Sequence, residues 1–575
     1  MSTRITRRAA AQVPEDLAAA VHPVLARVLA ARDVLSLSEI DYALGKLHPA
    51  HSLSGLDDAV ALLENALAED KRILVVADFD ADGATGCAVA VRGLRLLGAR
   101  HVDYVVPNRF EFGYGLTPEI VTIAEERAPD LLITVDNGIS SVDGVAAAAA
   151  RNIPVIVTDH HLPGARLPEA AAIVNPNQAG DGFPSKCLAG VGVMFYVLIA
   201  LRARLRAKEW FAERGLKEPN LARLLDLVAL GTVADVVPLD ANNRILVAQG
   251  LARIRSGRAH AGVAALLEVA GRDYQRSTAA DLGFAVAPRL NAAGRLADMA
   301  LGIECLLSDD AQSAADMAAT LDRLNHERRD IEARMRDQAM AQVDALRFES
   351  PEKLPFGLCL FDSEWHPGVV GIVASRVKER LHRPVIAFAP DGEDSLKGSA
   401  RSVNGVHIRD ALDSVAARHD GLLSKFGGHA MAAGLSLKRE HFDTFRAAFD
   451  SEVRRHLSDG DLRNTILSDG PLEAADIGLA LARELRLAGP WGQGFPEPVF
   501  DGEFEVLSSR VVGETHMKLS LRAVEHTQPV DAIAFNALDY WPQEANVVRL
   551  AYKLDVNHFR GRDSAQLVVE LAEAM

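Results

Sequence analysis

Cysteine is scarce in this chain. Its 575 residues include four, Cys87, Cys187, Cys305 and Cys359, spaced about 50 to 120 residues apart, without the close pairs that build zinc sites or disulfide frameworks. They read as buried thiols. Long apolar runs are missing too: no uncharged stretch reaches the ~20 residues that span a bilayer, and residues 1–8 lack the apolar core of a secretory signal. The expectation is a cytoplasmic protein with no membrane partner. Aromatics make up only 5% of the chain, but 49% of residues are hydrophobic and 24% charged, an ordinary globular mix that argues against disorder away from the ends. Positive charge is in deficit, with 62 Lys and Arg against 78 Asp and Glu. Spread evenly, that excess of negative charge would repel a polyanion, so a nucleic-acid substrate must meet a local positive or metal-bearing surface. Length excludes a single hydrophobic core and implies roughly three or four domains.

What is present is order along the chain. From about residue 71 to 239, short apolar runs alternate with Ala-rich helical stretches, the pattern of a parallel sheet flanked by helices. The runs lie at 73–77, 102–106, 131–135, 155–157 and 172–174. Ligands of such open sheets collect beyond the carboxyl ends of the strands, and the informative residues fall there. The first run leads into Asp78-Phe79-Asp80-Ala81-Asp82-Gly83. In extended backbone, alternate side chains share a side, so the three carboxylates converge. Unpaired, they repel and raise one another's pKa. A divalent cation removes the conflict, and carboxylate oxygens suit Mg²⁺ or Mn²⁺. A solvated acidic turn capping the next helix is the competing reading. The third run ends in Asp136-Asn137-Gly138 and the fourth in Asp159-His160-His161, so two more strands deliver ligand-type residues to the same edge. Imidazole beside carboxylate favours Mn²⁺. Farther on, the apolar stretch 224–230 sets Asp235 at one more element end, where a carboxylate is costly unless it is paired or metal-bound.

Seven segments in this order resemble the DHH phosphoesterase family: DFDADG (78–83), PNRFEFGYGL (107–116), TVDNGIS (134–140), TDHH (158–161), GTVADVVPL (231–239), PRLNAAGR (288–295) and FGGHAMAAGL (426–435). Each alone is only suggestive; together, over nearly the whole chain, they are specific to that family and, within it, to its single-strand-specific 5′ exonucleases. The resemblance implies two ions, Mn²⁺ or Mg²⁺. One is held by Asp80 and Asp136, with Asp78 nearby where related enzymes often have His. The other is held by Asp82, Asp136, His160 and Asp235, so that Asp136 bridges the pair, while His161 faces the scissile phosphate. Asp82, Asp136 and His161 form the implied catalytic group. Paired ions about 3.5 to 4 Å apart activate a bridging water and neutralise the leaving oxygen, with no covalent enzyme intermediate.

Attack from one end requires a grip on a terminus. Two Arg-bearing loops are candidates for a 5′-phosphate: Asn108-Arg109, and Gly398-Ser399-Ala400-Arg401-Ser402, where Gly and Ser expose backbone donors. By the resemblance, Arg289, Asn291 and Arg295 contact the strand near the cleavage site, and His429, in a DHHA1-like Gly427-Gly428-His429, lies near the substrate phosphate. Ion pairing for the arginines, and a histidine packed at a helix start, are the competing readings.

The expected fold is multidomain α/β: an N-terminal helical extension (1–52), a parallel-sheet DHH catalytic domain (53–310), a connecting helix (311–350), a DHHA1 α/β domain (351–465) and a C-terminal OB-fold β-barrel (466–575). Residues 311–346 contain no Gly or Pro, which predicts one long helix; a coiled-coil arm competes, but its apolar heptads are broken by charges. Between 372 and 409, seven Lys or Arg face four Asp or Glu, the local positive surface required above. After the turn-rich 490–496, runs at 506–512, 517–521, 532–535 and 547–554 read as barrel strands, with Phe535, Tyr540, Trp541, Tyr552, Lys518 and Lys553 available to carry a single strand. The resemblance implies a 5′-3′ exonuclease that hydrolyses single-stranded DNA to 5′-mononucleotides in recombination and repair. The strand threads between the DHH and DHHA1 domains, and a single-strand DNA-binding protein and a repair helicase are implied partners. A DHH enzyme acting on short oligonucleotides or cyclic dinucleotides, or a non-catalytic DNA-binding relative, are the alternatives; the first usually lacks the barrel and the second loses metal ligands.

Overall fold

The computed structural model describes residues 3–575 except 108–113, 350–353, 459–461, 463, 514, 525–526, 538–539 and 543–544. The chain divides into two units, Arg7–Asn325 with Ser468–Met575, and Met1–Thr6 with His326–Leu467.

In the first unit, β1 (Ile73–Ala77), β2 (Val102–Val105), β3 (Leu131–Val135), β4 (Val155–Thr158) and β5 (Ala172–Val174) form a parallel sheet in the order β2-β1-β3-β4-β5. β1 and β3 are buried along their whole length, which is why these runs are apolar without alternation. The chain leaves β1 for β2 on one side and returns as β3 on the other. That reversal opens a crevice at the carboxyl ends of β1 and β3. Helices α1 (Ala81–Leu96), α2 (Gly190–Ala207) and α3 (Leu225–Ala234) share one core with the sheet, and α3 is apolar on nearly every side, as a core helix must be. A π-helical turn, Leu282–Val286, leads into α4 (Ala287–Leu296). The expected long helix is α5 (Ala311–Glu349). Its Ala314, Ala318 and Leu321, and farther along Met335, Ala339 and Val343, are buried, an apolar stripe at helical spacing.

The second unit contains β6 (Leu358–Phe361), α6 (Val370–Leu381), β7 (Val385–Pro390), β8 (Ser395–Arg401), β9 (Lys425–Gly428) and β10 (Ala432–Lys438), with sheet order β9-β10-β8-β7-β6. One expectation and one competing reading are corrected here. Gly398 to Arg401 is not a loop with free backbone donors but part of β8, paired on one side with β7 and on the other with β10. Its amides are spent in the ladder, and alternation places the Ser399 and Arg401 side chains on one face. Gly427 and Gly428 likewise belong to β9, and His429 sits in the connection to β10, its N–H donating to Ala432 O at 2.8 Å, rather than at a helix start.

Back in the first unit, β11 (Phe500–Val512), β12 (His516–Ala523), β13 (Val530–Ala534), β14 (Val547–Phe559) and β15 (Arg562–Ala574) close a barrel in the order β11-β12-β13-β15-β14. β15 lies outside the expected strands. Its Ala, Gln and Glu favour helix locally, but pairing with both β13 and β14 overrides that preference. The N-terminal segment is not wholly helical: Arg4–Arg7 is a strand paired with Thr465–Ser468, ahead of short helices at Glu15–Ala20 and Pro23–Ala30. Among the described residues no helix is long and apolar enough to cross a membrane.

Candidate metal centre and phosphate site

The carboxylates converge by a different route from the extended alternation expected. β1 ends at Ala77, and Asp80 caps α1: its Oδ1 accepts the N–H groups of Asp82 (2.9 Å) and Gly83 (3.0 Å). A strand-to-helix turn therefore gathers Asp78, Asp80 and Asp82, the last already in the first helical turn. Asn291 Oδ1 pins this turn by accepting the Ala81 N–H at 2.9 Å. Asp136, one residue past β3, has a left-handed backbone with φ 62°, a conformation that costs a non-glycine residue about 1–2 kcal/mol. Asp235 caps the end of α3, and His160 lies two residues beyond β4.

Potential ligand atoms of Asp78, Asp80 and Asp136 lie within 4.8 Å of one another; so do those of Asp82, His160 and Asp235, and those of Asp136, His160 and His161. His160 Nε2 is 3.1 Å from Asp136 Oδ1, 3.4 Å from Asp235 Oδ2 and 4.0 Å from Asp82 Oδ2. Asp136 thus belongs to the first and third groups, and His160, common to the second and third, stands between Asp136 and the Asp82–Asp235 pair. Its buried Oδ1 accepts no hydrogen bond among the described residues. Burial, then the charges of Asp82, Asp80, Asp235 and Asp78, push the Asp136 carboxyl well above its ordinary range, and burial followed by Asp82 and Asp80 does the same to Asp235. Asp82 is pushed up to about 7 by burial and Asp80, although the N–H groups of Gly190 (2.6 Å) and Val191 (3.0 Å) donate to it. Buried carboxylates this close oppose one another until cations neutralise them. A donor set of oxygens with one imidazole fits Mn²⁺ or Mg²⁺.

Several contributors have roles that the sequence reading did not assign. Asp159 is fully buried and takes four donors: Ile139 N–H (2.9 Å), His160 N–H (2.7 Å), His161 N–H (3.1 Å) and His161 Nδ1 (2.8 Å). Burial raises its carboxyl, but the bond from His161, the charges of both histidines and the Ile139 amide hold it below the ordinary value. On His161, burial works downward, yet the bond and charge of Asp159, with Asp78 and Asp80, push the imidazole up to about 9. Asp159 therefore orients the histidine pair. Gly190 and Gly231 give the ligands room: a Cβ on the first would lie 2.6 Å from Asp136 Cβ, and on the second 2.1 Å from Thr85 Oγ1 and 2.9 Å from Asp82 Oδ1. Glycines inside otherwise apolar helical stretches were the available signal.

The arginine candidates separate. Arg109 lies outside the described residues. Arg289 donates from Nε to Asp322 at 2.9 Å and from Nη1 to Ala285 O at 2.5 Å, so it is the ion pair of the competing reading. Arg295 is in the last turn of α4. In the second unit, Ser399 and Arg401 lie against the start of α6, where a Cβ on Gly371 would meet Ser399 Oγ at 2.8 Å and Arg401 Nη2 at 2.9 Å. Arg401 Nη1 donates to Ser399 Oγ (3.0 Å) and Ala400 O (2.8 Å), and burial lowers its pKa. A desolvated guanidinium beside the N-terminus of a 12-residue helix has the chemistry to hold an anion.

On the barrel, Tyr552 is core, while Tyr540 and Trp541 pack against it. Lys553 pairs with Glu497 and Glu570, and Lys518 lies 3.8 Å from Asp531. Phe535 is 48% exposed and Phe284, on the π-helical turn, 86% exposed. The two line a groove of about 520 Å³ together with Arg255, Arg486 and Lys553.

Three family models match: the DHH family N-terminal domain at 72–232, the DHHA1 domain at 355–455 and the RecJ OB domain at 468–571. The single-stranded-DNA-specific exonuclease RecJ of Salmonella typhimurium is 53% identical over 569 residues, covering 99% of this chain and 98% of that protein. The protein of the same name from Escherichia coli is 53% identical over 566 residues, covering 98% of each. A crystal structure of RecJ in complex with Mn²⁺ from Thermus thermophilus is similar with a TM-score of 0.83 at 33% identity, over 100% of this chain and 80% of that one. A second, in complex with Mg²⁺, gives 0.75 at 31%, over 100% and 79%.

Proposed function

The chain belongs to the RecJ family, and from that premise we propose that it hydrolyses single-stranded DNA from the 5′ end to 5′-mononucleotides. The observation that carries this reading is Asp136, which clusters with Asp78 and Asp80 on one side and with His160 on the other, His160 in turn clustering with Asp82 and Asp235. Asp80 and Asp136, with Asp78, would hold one Mn²⁺ or Mg²⁺, and Asp82, Asp136, His160 and Asp235 the other. Bound there, the pair supplies Lewis acidity to a water nucleophile and to the departing oxygen. Asp159 keeps Nδ1 of His161, which leaves Nε2–H to donate to an oxygen of the scissile phosphate. Ser399, Arg401 and the first amides of α6 bind the terminal 5′-phosphate, with His429, Arg109 and Arg295 as further phosphate contacts. Arg289 and Asn291 act from behind, as braces of α4 and of the acidic turn.

The functional division follows the segments 1–52, 53–310, 311–350, 351–465 and 466–575, the last carrying the strand on its exposed aromatics. The enzyme works in the cytoplasm in recombination and repair. A single-strand DNA-binding protein and a repair helicase are its proposed partners, because single strands arise where a duplex has been opened and coated.

The test uses long DNA labelled at either end, single-stranded or duplex, with Mn²⁺ and either wild type or Asp136→Ala. Mononucleotides should leave the 5′ end of the single strand, duplex should resist, and Asp136→Ala should be inactive. Cleavage confined to di- to pentanucleotides would keep the site and overturn the substrate.

A further inference from the structure

Beside the DHH triplet, Tyr114 places a single hydroxyl between two residues of the site. Its Oη lies 3.1 Å from the carbonyl oxygen of Asp136 and 3.2 Å from Nδ1 of His161. A phenol has one proton to give, and a carbonyl only accepts, so that proton goes to Asp136. Oη is also 3.5 Å from His161 Nε2. Nδ1 lies closer to Asp159 Oδ1, at 2.8 Å, which makes Asp159 the partner of Nδ1. The tyrosine ring meets His161 edge-on, with centroids 5.7 Å apart at 73°, and meets Phe79 of the acidic turn at 6.2 Å and 80°.

We propose that Tyr114 is a positioning residue for phosphodiester cleavage: its hydroxyl tethers the left-handed backbone of Asp136 while its ring edge walls the His161 imidazole into the rotamer that Asp159 sets. The inference rests on the reading above, in which Asp136 is shared by the two ions and His161 faces the phosphate. The tether opposes relaxation of a backbone at φ 62°, a state that persists only where surrounding contacts hold it. One hydroxyl thereby couples the placement of the shared carboxylate to the placement of the phosphate-facing imidazole.

Tyr114→Phe in the full-length chain keeps the ring and removes the tether. We expect kcat on 5′-labelled single strands to fall about tenfold and the Mn²⁺ concentration for half-activation to rise severalfold, the usual scale for removing an outer partner of a metal site. KM and thermal stability should stay at wild-type values. A general loss of stability, a rise in KM alone, or wild-type kcat and Mn²⁺ dependence would each overturn the proposal. Tyr114→Ala, which removes the wall as well, should lose more kcat than Tyr114→Phe; equal losses would remove the ring from the account. Asp136→Ala, assayed alongside, separates the two levels. If it stays active, the reading of the metal centre fails; if it is inactive while Tyr114→Phe behaves as wild type, only this inference fails.

Discussion

Asp136 combines two unfavourable features, a left-handed backbone and a buried carboxylate among four others. Both are tolerable if cations occupy the site, so the metal-free protein stores the repulsion that binding relieves. Asp136→Asn should therefore be more stable than wild type without metal, yet gain little on Mn²⁺ addition. Wild type should gain about 2.7 kcal/mol per bound ion at a hundredfold excess over Kd. Thermal unfolding with and without Mn²⁺ checks both. The pH dependence has a definite sign. Asp82 is raised from 3.8 to about 7 in the metal-free fold, so a stability penalty builds as pH climbs between those values, and Mn²⁺ must displace the bound proton at the lower end. The Mn²⁺-induced rise in Tm should widen as pH approaches 7 and level off above it; a rise independent of pH would refute the assignment. The clustered carboxylates and His160 were legible because each follows an apolar strand or helix end. The roles of Asp159, Tyr114, Gly190 and Gly231 were not, because they depend on which distant elements approach them.

At the scale of elements, the π-helical turn Leu282–Val286 holds Phe284 almost fully in solvent, in the lining of a groove shared with the barrel's Phe535. An aromatic that exposed, lining one groove with a second aromatic and with arginines, is suited to stack bases. Phe535→Ala and Phe284→Ala should each weaken binding of a long single strand by about 1–3 kcal/mol while leaving cleavage of a dinucleotide unchanged. Titration of labelled strands of different lengths measures this, and an equal loss on both substrates would remove the groove from the account. Parallel strands were easy to read because burial on both faces makes them continuous apolar runs. β8 was misread as a loop because Gly398 and Ser399 look like turn residues, and their pairing with β7 and β10 is long-range. β15 was missed because barrel closure, not local propensity, makes it a strand.

For the whole molecule, the N-terminal segment has a physical role that its sequence did not declare. Arg32 forks onto Asp469 with two contacts of 2.9 Å, and Arg7 onto Asp501 at 2.9 and 2.8 Å. These pairs clamp the start of the chain to the base of the barrel, whose Phe500 and Phe504 share a core with the parallel sheet. Burial pushes Asp501 up, but hydrogen bonds from Arg7, Ser468 and Arg549 win and hold its carboxyl down at about 2. From an ordinary 3.8, that depression is worth roughly 2 kcal/mol, fully present above pH 3.8 and lost as pH falls toward 2. Arg7→Ala should lower Tm at neutral pH, with the deficit shrinking under acid; a deficit constant with pH would show that the pair contributes packing alone. Net charge of −16 is reconciled with a polyanion substrate by concentrating carboxylates where cations bind and placing Arg401 at a helix N-terminus.

The central claim is that one carboxylate serves two ions. Counting Mn²⁺ bound per chain by equilibrium dialysis, in wild type and in Asp136→Asn, tests it most directly. The account predicts two ions in wild type and loss of tight binding at both positions in the variant. Two ions retained in Asp136→Asn, or one in wild type, would contradict it.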